Sequence, residues 1–150
     1  MTRWLDPDEQ RTWRAYLTAS RALMETLDRE LQRDAGMPHA YYEILVRLSE
    51  APGRRLRMSE LAEVSGSSRS RLSHAVARLE AAGWVRREEC PTDRRGQIAA
   101  LTDEGFDTLA AAAPGHVEGV RRHLFDALSP AQVDQLRRIS ETLVDHLTSS

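Results

Sequence analysis

The residues of this 150-residue chain whose types and spacing could do chemistry lie between positions 68 and 95. Ser70, Ser73 and His74 stand in the first turns of a helical stretch, where hydroxyl and imidazole groups can reach the edges of nucleic-acid bases, and Ala77 can meet a thymine methyl. Arg69, Arg71 and Arg78 flank them as cations at the rim of the same helix, where guanidinium groups mostly hold phosphates. Further on, Asp93-Arg94-Arg95-Gly96 sets two arginines on a turn, with an aspartate two residues before Arg95 that can fix the turn by pairing with it. An arginine on such a tip suits the concentrated negative potential of a narrow minor groove. Each feature has a plain alternative: the serines as helix surface, His74 as a solvated imidazole, the arginines as partners of Glu80 or another acid, and the turn as an exposed basic loop.

Composition removes most other chemistry. All 21 basic residues are arginine, so lysine Schiff bases, lysine general bases and the lysine of a phosphate-binding loop are excluded. No nucleophile elbow, glycine-rich phosphate loop or metal constellation takes their place, so neither enzyme nor cofactor is expected. Cys90 is the single cysteine, which precludes an intramolecular disulfide or a cysteine zinc cluster. Nothing in the sequence lowers its pKa as a redox role would need, and His116 and His123, seven apart, stand two helical turns, about 10 Å, from each other along a helix, too far to grip one metal ion as an i,i+4 pair would. No apolar run approaches the roughly 18 residues of a membrane span, and positions 1–7 lack a signal-peptide core, so a reduced cytoplasmic setting is expected. The net charge of −2 hides a gradient: positions 54–95 hold ten arginines and six acids, and the remainder eleven arginines and seventeen acids. One basic segment between acidic flanks is the footprint of a protein that meets phosphate in one place.

The elements that must carry these residues are mostly helices. Asp6-Pro7-Asp8-Glu9 is a helix start, followed by Trp13, Leu17, Ser20, Met24, Leu27 and Leu31 at three-and-four spacing up to Gly36. A second helix follows Pro38 with Tyr41, Ile44, Leu45 and Leu48 as its stripe, and Ala51-Pro52-Gly53 ends it. Ser129-Pro130-Ala131-Gln132 opens the last helix, with Val133, Leu136, Ile139, Ser140, Leu143, Val144 and Leu147 on a broad face. Between Leu101 and Leu128 another helix is expected, kinked or briefly broken at Pro114-Gly115. Long amphipathic helices at both ends predict packing against a second copy, the alternative being packing on the centre alone.

In the centre, Met58 to Val64 reads as a short helix, Ser65-Gly66-Ser67-Ser68 as a tight turn with a capping serine, and 69–79 as a second helix. Leu72, Ala75, Val76 and Leu79 share its inner face, opposite Ser70, His74, Ala77, Arg78 and Ala81. Trp84-Val85-Arg86-Arg87-Glu88 and Gln97-Ile98-Ala99-Ala100-Leu101 have strand composition, and the loop between them holds Pro91 to Gly96. Together these make a winged helix-turn-helix, a helix able to enter a major groove beside an arginine-tipped wing. The fold class is mainly α with a small β-wing.

Met58-Ser59-Glu60-Leu61-Ala62, positions 68–79, Gly83-Trp84-Val85-Arg86-Arg87, Asp93-Arg94-Arg95-Gly96 and Leu101-Thr102-Asp103-Glu104-Gly105 resemble, in order, the multiple-antibiotic-resistance regulator (MarR) family. The resemblance covers nearly the whole chain. It implies a single MarR-like chain over 1–150, with dimerisation helices at 1–36 and 115–150 around a DNA-binding module at 37–105. It further implies a homodimeric transcription regulator, usually a repressor, on double-stranded DNA, with Ser68 opening the recognition helix and Asp93 bracing Arg95. An effector pocket for a small aromatic or phenolic anion is implied as well. Trp13, Tyr16, His39 and Tyr42 are its available wall residues, with Arg86 or Arg87 as anion partner, although for Trp13 and Tyr16 core packing is the stronger reading. Two departures stand out: Ser67 occupies a turn position the family fills with an aliphatic residue, and Arg57 a position it fills with a hydroxyl residue. The rival readings are a winged-helix module that docks another protein, and an enzyme or its dimerisation domain.

Overall fold

The computed structural model describes residues 1–149, the side chain of Arg94 excepted. Six helices and three strands follow in order: α1 (Pro7–Ala35), α2 (His39–Glu50), β1 (Arg55–Arg57), α3 (Met58–Val64), α4 (Arg69–Ala81), β2 (Val85–Cys90), β3 (Asp93–Leu101), α5 (Asp103–His123) and α6 (Pro130–Thr148). Short 3-10 turns at Pro52–Arg54 and Phe125–Ala127 join α2 to β1 and α5 to α6. The chain divides into two compact units, Met1–Leu27 with His116–Ser150, and Asp28–Gly115.

In the unit Asp28–Gly115 the core is assembled from leucines and valines of α2, α3, α4 and the sheet. Leu45, Leu48, Leu61, Val76 and Leu79 are wholly inaccessible, and Leu72 and Val85 nearly so. Burying each such side chain contributes about 1.5–3 kcal/mol, so this cluster holds the helix-turn-helix in place. The inner face of α4 is the one its periodicity predicts. Its N-terminus is capped by Ser68, whose Oγ accepts from the Arg71 N–H at 3.2 Å. At its other end Gly83, at φ +84°, closes the helix while the Trp84 N–H donates to the Leu79 carbonyl at 3.0 Å. The turn between α3 and α4 uses Gly66 at φ +61°. Ser67 is half-buried there, its hydroxyl donating to the Ser68 carbonyl at 3.3 Å in place of an aliphatic contact. Arg57 has no acceptor to offer α3, and only half of a capping box forms: Glu60 accepts the Arg57 N–H at 3.4 Å.

The sheet order is β1-β3-β2, all antiparallel. The structure differs from the sequence reading in three places. β1, three residues with only Leu56 turned partly inward, was not anticipated, being too short for its alternation to register. The strand β3 begins at Asp93 rather than Gln97, because Cys90 pairs with Asp93. Glu89 pairs with Gln97, however, so residues 94–96 have no opposite number and bulge from the wing tip. Finally, of the kink or break expected at Pro114-Gly115, the break is absent: α5 runs on as helix through Pro114. The proline's fixed φ suits the helix, while its missing N–H leaves the Ala110 carbonyl without a helix bond and its ring crowds that carbonyl.

Thr102 joins the wing to α5. Its Oγ1 donates to the Gly83 carbonyl at 2.7 Å and accepts from the Gly105 N–H at 2.9 Å, while its own N–H donates to the Trp84 carbonyl at 3.0 Å.

The unit of Met1–Leu27 and His116–Ser150 contains the outer part of α1, the end of α5 and all of α6. Asp6 and Glu9 form a reciprocal cap at the start of α1, at 2.8 and 2.9 Å. Ser129 and Gln132 do the same for α6, at 3.2 and 2.9 Å. Ser129→Ala is expected to cost about 1 kcal/mol, read as a lower midpoint in urea. Apolar side chains lie open on this unit, among them Trp13 and Tyr16 on α1 and Ile139, Leu143, Val144 and Leu147 on α6.

Candidate nucleic-acid interface

The recognition-helix candidates separate by position on α4. Ser70, His74 and Ala77 are exposed on the side opposite the core, and Arg69, Arg71 and Arg78 are exposed around them. Ser73 is half-buried and turned toward the wing. Its carbonyl and its Oγ receive the Arg87 guanidinium at 2.9 and 3.5 Å. The face left open is polar and free of large apolar side chains, a surface able to lie against base edges.

At the wing, Asp93 and Arg95 are both exposed. The expected pairing of these two is corrected in kind: Asp93 Oδ1 accepts the backbone N–H of Arg95 at 2.9 Å, an Asx-type turn that shapes the bulge and leaves the guanidinium outward. The side chain of Arg94 lies outside the described residues. Glu88 holds the base of the wing, taking Arg86 at 2.8 Å and Arg55 at 3.2 Å, and these cations hold its carboxyl below the usual carboxylate range, the Arg86 hydrogen bond first. Nearer the tip, Arg57 donates to the Thr92 hydroxyl at 2.9 Å, tying β1 to the wing turn. Cys90 is buried beside Thr92 at 3.4 Å, and hydrogen bonding from Thr92 draws its thiol below the ordinary range.

Between the start of α4 and the wing runs a cleft of about 540 Å³, with Arg57, Arg69 and Arg95 among its walls and Glu89 and Asp93 opposing them in charge. The fold therefore brings together, within one unit, the polar face of α4 and the arginine-bearing tip.

The residues named as effector walls are placed less suggestively. Trp13 and Tyr16 lie half-exposed on α1, ring centroids 6.4 Å apart. In the other unit His39 and Tyr42 are 6.5 Å apart. Tyr42 belongs to the core, and its burial pushes the phenol pKa up. Arg86 is engaged by Glu88. Two structural contributors escaped the sequence reading. Asp28 Oδ1 accepts the His39 N–H at 2.8 Å, capping α2 from outside because Pro38 has no acceptor side chain. Arg54, at φ +56°, lays its guanidinium 3.8 Å over the Phe106 ring and 3.8 Å from Asp103. Among the described residues no group of three or more acidic, histidine or cysteine side chains could hold a metal ion, and no helix is long and apolar enough to cross a membrane.

Comparison with known proteins agrees with this geometry. The MarR family model matches residues 35–96. The transcriptional repressor MprA of Escherichia coli K12 is 30% identical over 125 residues, spanning 83% of this chain and 70% of its own. Among solved structures, Sco3205, a MarR family transcriptional regulator from Streptomyces coelicolor crystallised in complex with DNA, superposes with a TM-score of 0.95 at 56% identity, covering 98% of this chain and 92% of its own. AbsC, a MarR family transcriptional regulator from the same organism, has a TM-score of 0.93 at 45% identity, with coverage of 99% and 100%. The chain, a mainly helical winged helix-turn-helix with a three-stranded sheet, belongs to the MarR family of transcription regulators.

Proposed function

We propose that this regulator is a homodimeric repressor that binds a pseudo-palindromic operator in double-stranded DNA and leaves it when a small aromatic or phenolic anion binds. The observation that carries the reading is the exposed polar face of α4 beside the Arg95-bearing wing, on the one basic segment of an otherwise acidic chain. In it Ser70, His74 and Ala77 meet base edges, Arg69, Arg71 and Arg78 hold phosphates, and Arg95, shaped by Asp93, enters the minor groove. A DNA-bound relative at 56% identity supports the duplex as partner, and the name of MprA supports repression. Self-association is supported by the open apolar residues of α1 and α6, which one copy leaves in water. Two recognition helices would then sit one helical turn, ~10 base pairs, apart.

The test is fluorescence anisotropy on the DNA upstream of the protein's own gene, at several salt concentrations and with excess random competitor. Competitor-resistant binding, one dimer per site, is expected, with light scattering giving twice the 16.9 kDa chain mass. Adding a phenolic acid is expected to lower the anisotropy. Binding that disappears with competitor on every promoter fragment tried would leave only non-specific phosphate contact and overturn the reading.

A further inference from the structure

We propose that Arg87 is a positioning residue that fixes the wing to the recognition helix, so that both DNA-reading surfaces meet the duplex as one rigid element; this rests on the DNA-binding reading above. Arg87 lies on β2, two residues from the buried Val85 and so on the face of the strand turned toward the core and α4. Its planar guanidinium spreads donors over two other elements. One arm, Nη2, donates to the Ser73 carbonyl of α4 at 2.9 Å, and the other, Nη1, to Gln97 Oε1 of β3 at 3.2 Å. Glu80, a second residue of α4, accepts the Arg87 backbone N–H at 3.2 Å and lies 3.9 Å from Nε.

The site costs Arg87 something, which argues against an incidental contact. Its Nε is buried with no hydrogen-bond acceptor among the described residues. A side chain free to choose would turn that N–H to water, so the two Nη contacts dictate the pose. The Ser73 carbonyl is in mid-helix, where its second lone pair remains available after the helix bond is made. The location also matters. Ser73 and Gln97, which accept from Arg87, both line the cleft between α4 and the wing, and the next residue on that strand face, Glu89, lines it too. Arg87 thus sits at the inner end of the cleft, where helix and wing begin to part. A bond at that point sets the angle at which the wing leaves the module, and with it the place where Arg95 arrives in the groove. Lysine has one terminal nitrogen and cannot span Ser73 and Gln97 in this planar fashion.

The experiment is a double-mutant cycle between Arg87→Met and Arg95→Ala, read as operator affinity at fixed salt. In the wild-type background Arg95→Ala is expected to lower affinity about tenfold; in Arg87→Met, where the wing is no longer pre-set, the same change is expected to cost about twofold. Arg87→Lys is expected to fall between. An Arg87 that only supports folding would lower the melting temperature yet leave the Arg95 loss equal in both backgrounds, and that result overturns the proposal. Should Arg87→Met fail to fold, Gln97→Ala removes one arm at an exposed position; the Arg95 loss is then expected to shrink in the same direction, and an unchanged loss overturns the proposal again. Absence of competitor-resistant binding by the wild-type chain overturns the DNA-binding reading and this inference together, whereas binding with equal losses overturns this inference alone.

Discussion

Gly105→Ala is expected to destabilise the winged module by about 3 kcal/mol, a sign opposite to the usual effect of alanine in a helix. A Cβ at Gly105 would lie 2.1 Å from the Trp84 carbonyl oxygen, 2.8 Å from its carbon and 2.8 Å from Leu101 Cδ1. The leucine methyl can swing aside, but the Trp84 carbonyl cannot. It accepts the Thr102 N–H, and it sits one residue before Val85, which pairs with Leu101 in the sheet. Relief would require α5 to lift away from the start of the wing and break the Thr102 bonds to Gly83 and Gly105. Gly115→Ala supplies the control, since nothing lies within 4 Å of its would-be Cβ and it also stands in α5. There the ordinary propensity gain of up to about 1 kcal/mol is expected. Urea denaturation of the two variants should move the midpoint in opposite directions. Equal midpoints for Gly105→Ala and wild type would mean that the α5–wing contact yields readily.

Arg95→Ala is expected to weaken specific DNA binding about tenfold while leaving the melting temperature unchanged, because the side chain is exposed. The backbone bond from Asp93 shapes the bulge whether or not a guanidinium is present, so the substitution subtracts the charge at the groove without altering the turn. A plot of log affinity against log salt should become shallower by about 1 for each phosphate-neutralising arginine lost. Asp93→Ala should act through shape instead: a smaller loss, with the salt slope kept. Anisotropy titrations from low to moderate salt separate the two. Full affinity in Arg95→Ala would remove the wing from the interface.

How far the amino-acid order reveals these features depends on the distance over which each is decided. The caps at Asp6, Ser68 and Ser129, the inner face of α4 and the stops at Gly36 and Gly83 are settled within a turn of helix, and they were legible. The cap of α2 was not, because Asp28 supplies it from eleven residues upstream. Arg87 was readable only as a cation available to an anionic ligand; its partners, Ser73 and Gln97, are fourteen and ten residues away and become neighbours only once the sheet is laid beside α4. Ser73 suffers from the same cause. Its helical phase alone places it near the outward side, and the wing then turns it inward. The wing tip escaped because Asp93 in strand and residues 94–96 in a bulge share one loop-like composition.

The three-residue strand β1 has a further consequence, for the order in which the module assembles. By pairing Arg55 with Ala100, Leu56 with Ala99 and Arg57 with Ile98, it closes a loop of about 40 residues around α3, α4 and β2. Closing so long a loop costs about 3 kcal/mol of chain entropy, which three residue pairs cannot offset until the helical hairpin and the β2–β3 ribbon already hold their ends together. The local pieces therefore form first and β1 joins them late. Traversed in reverse, the same path predicts β1 as the seam at which the native module first opens, and amide exchange at Arg55–Arg57 is expected to run through a local parting, faster than in the α3–α4 pair.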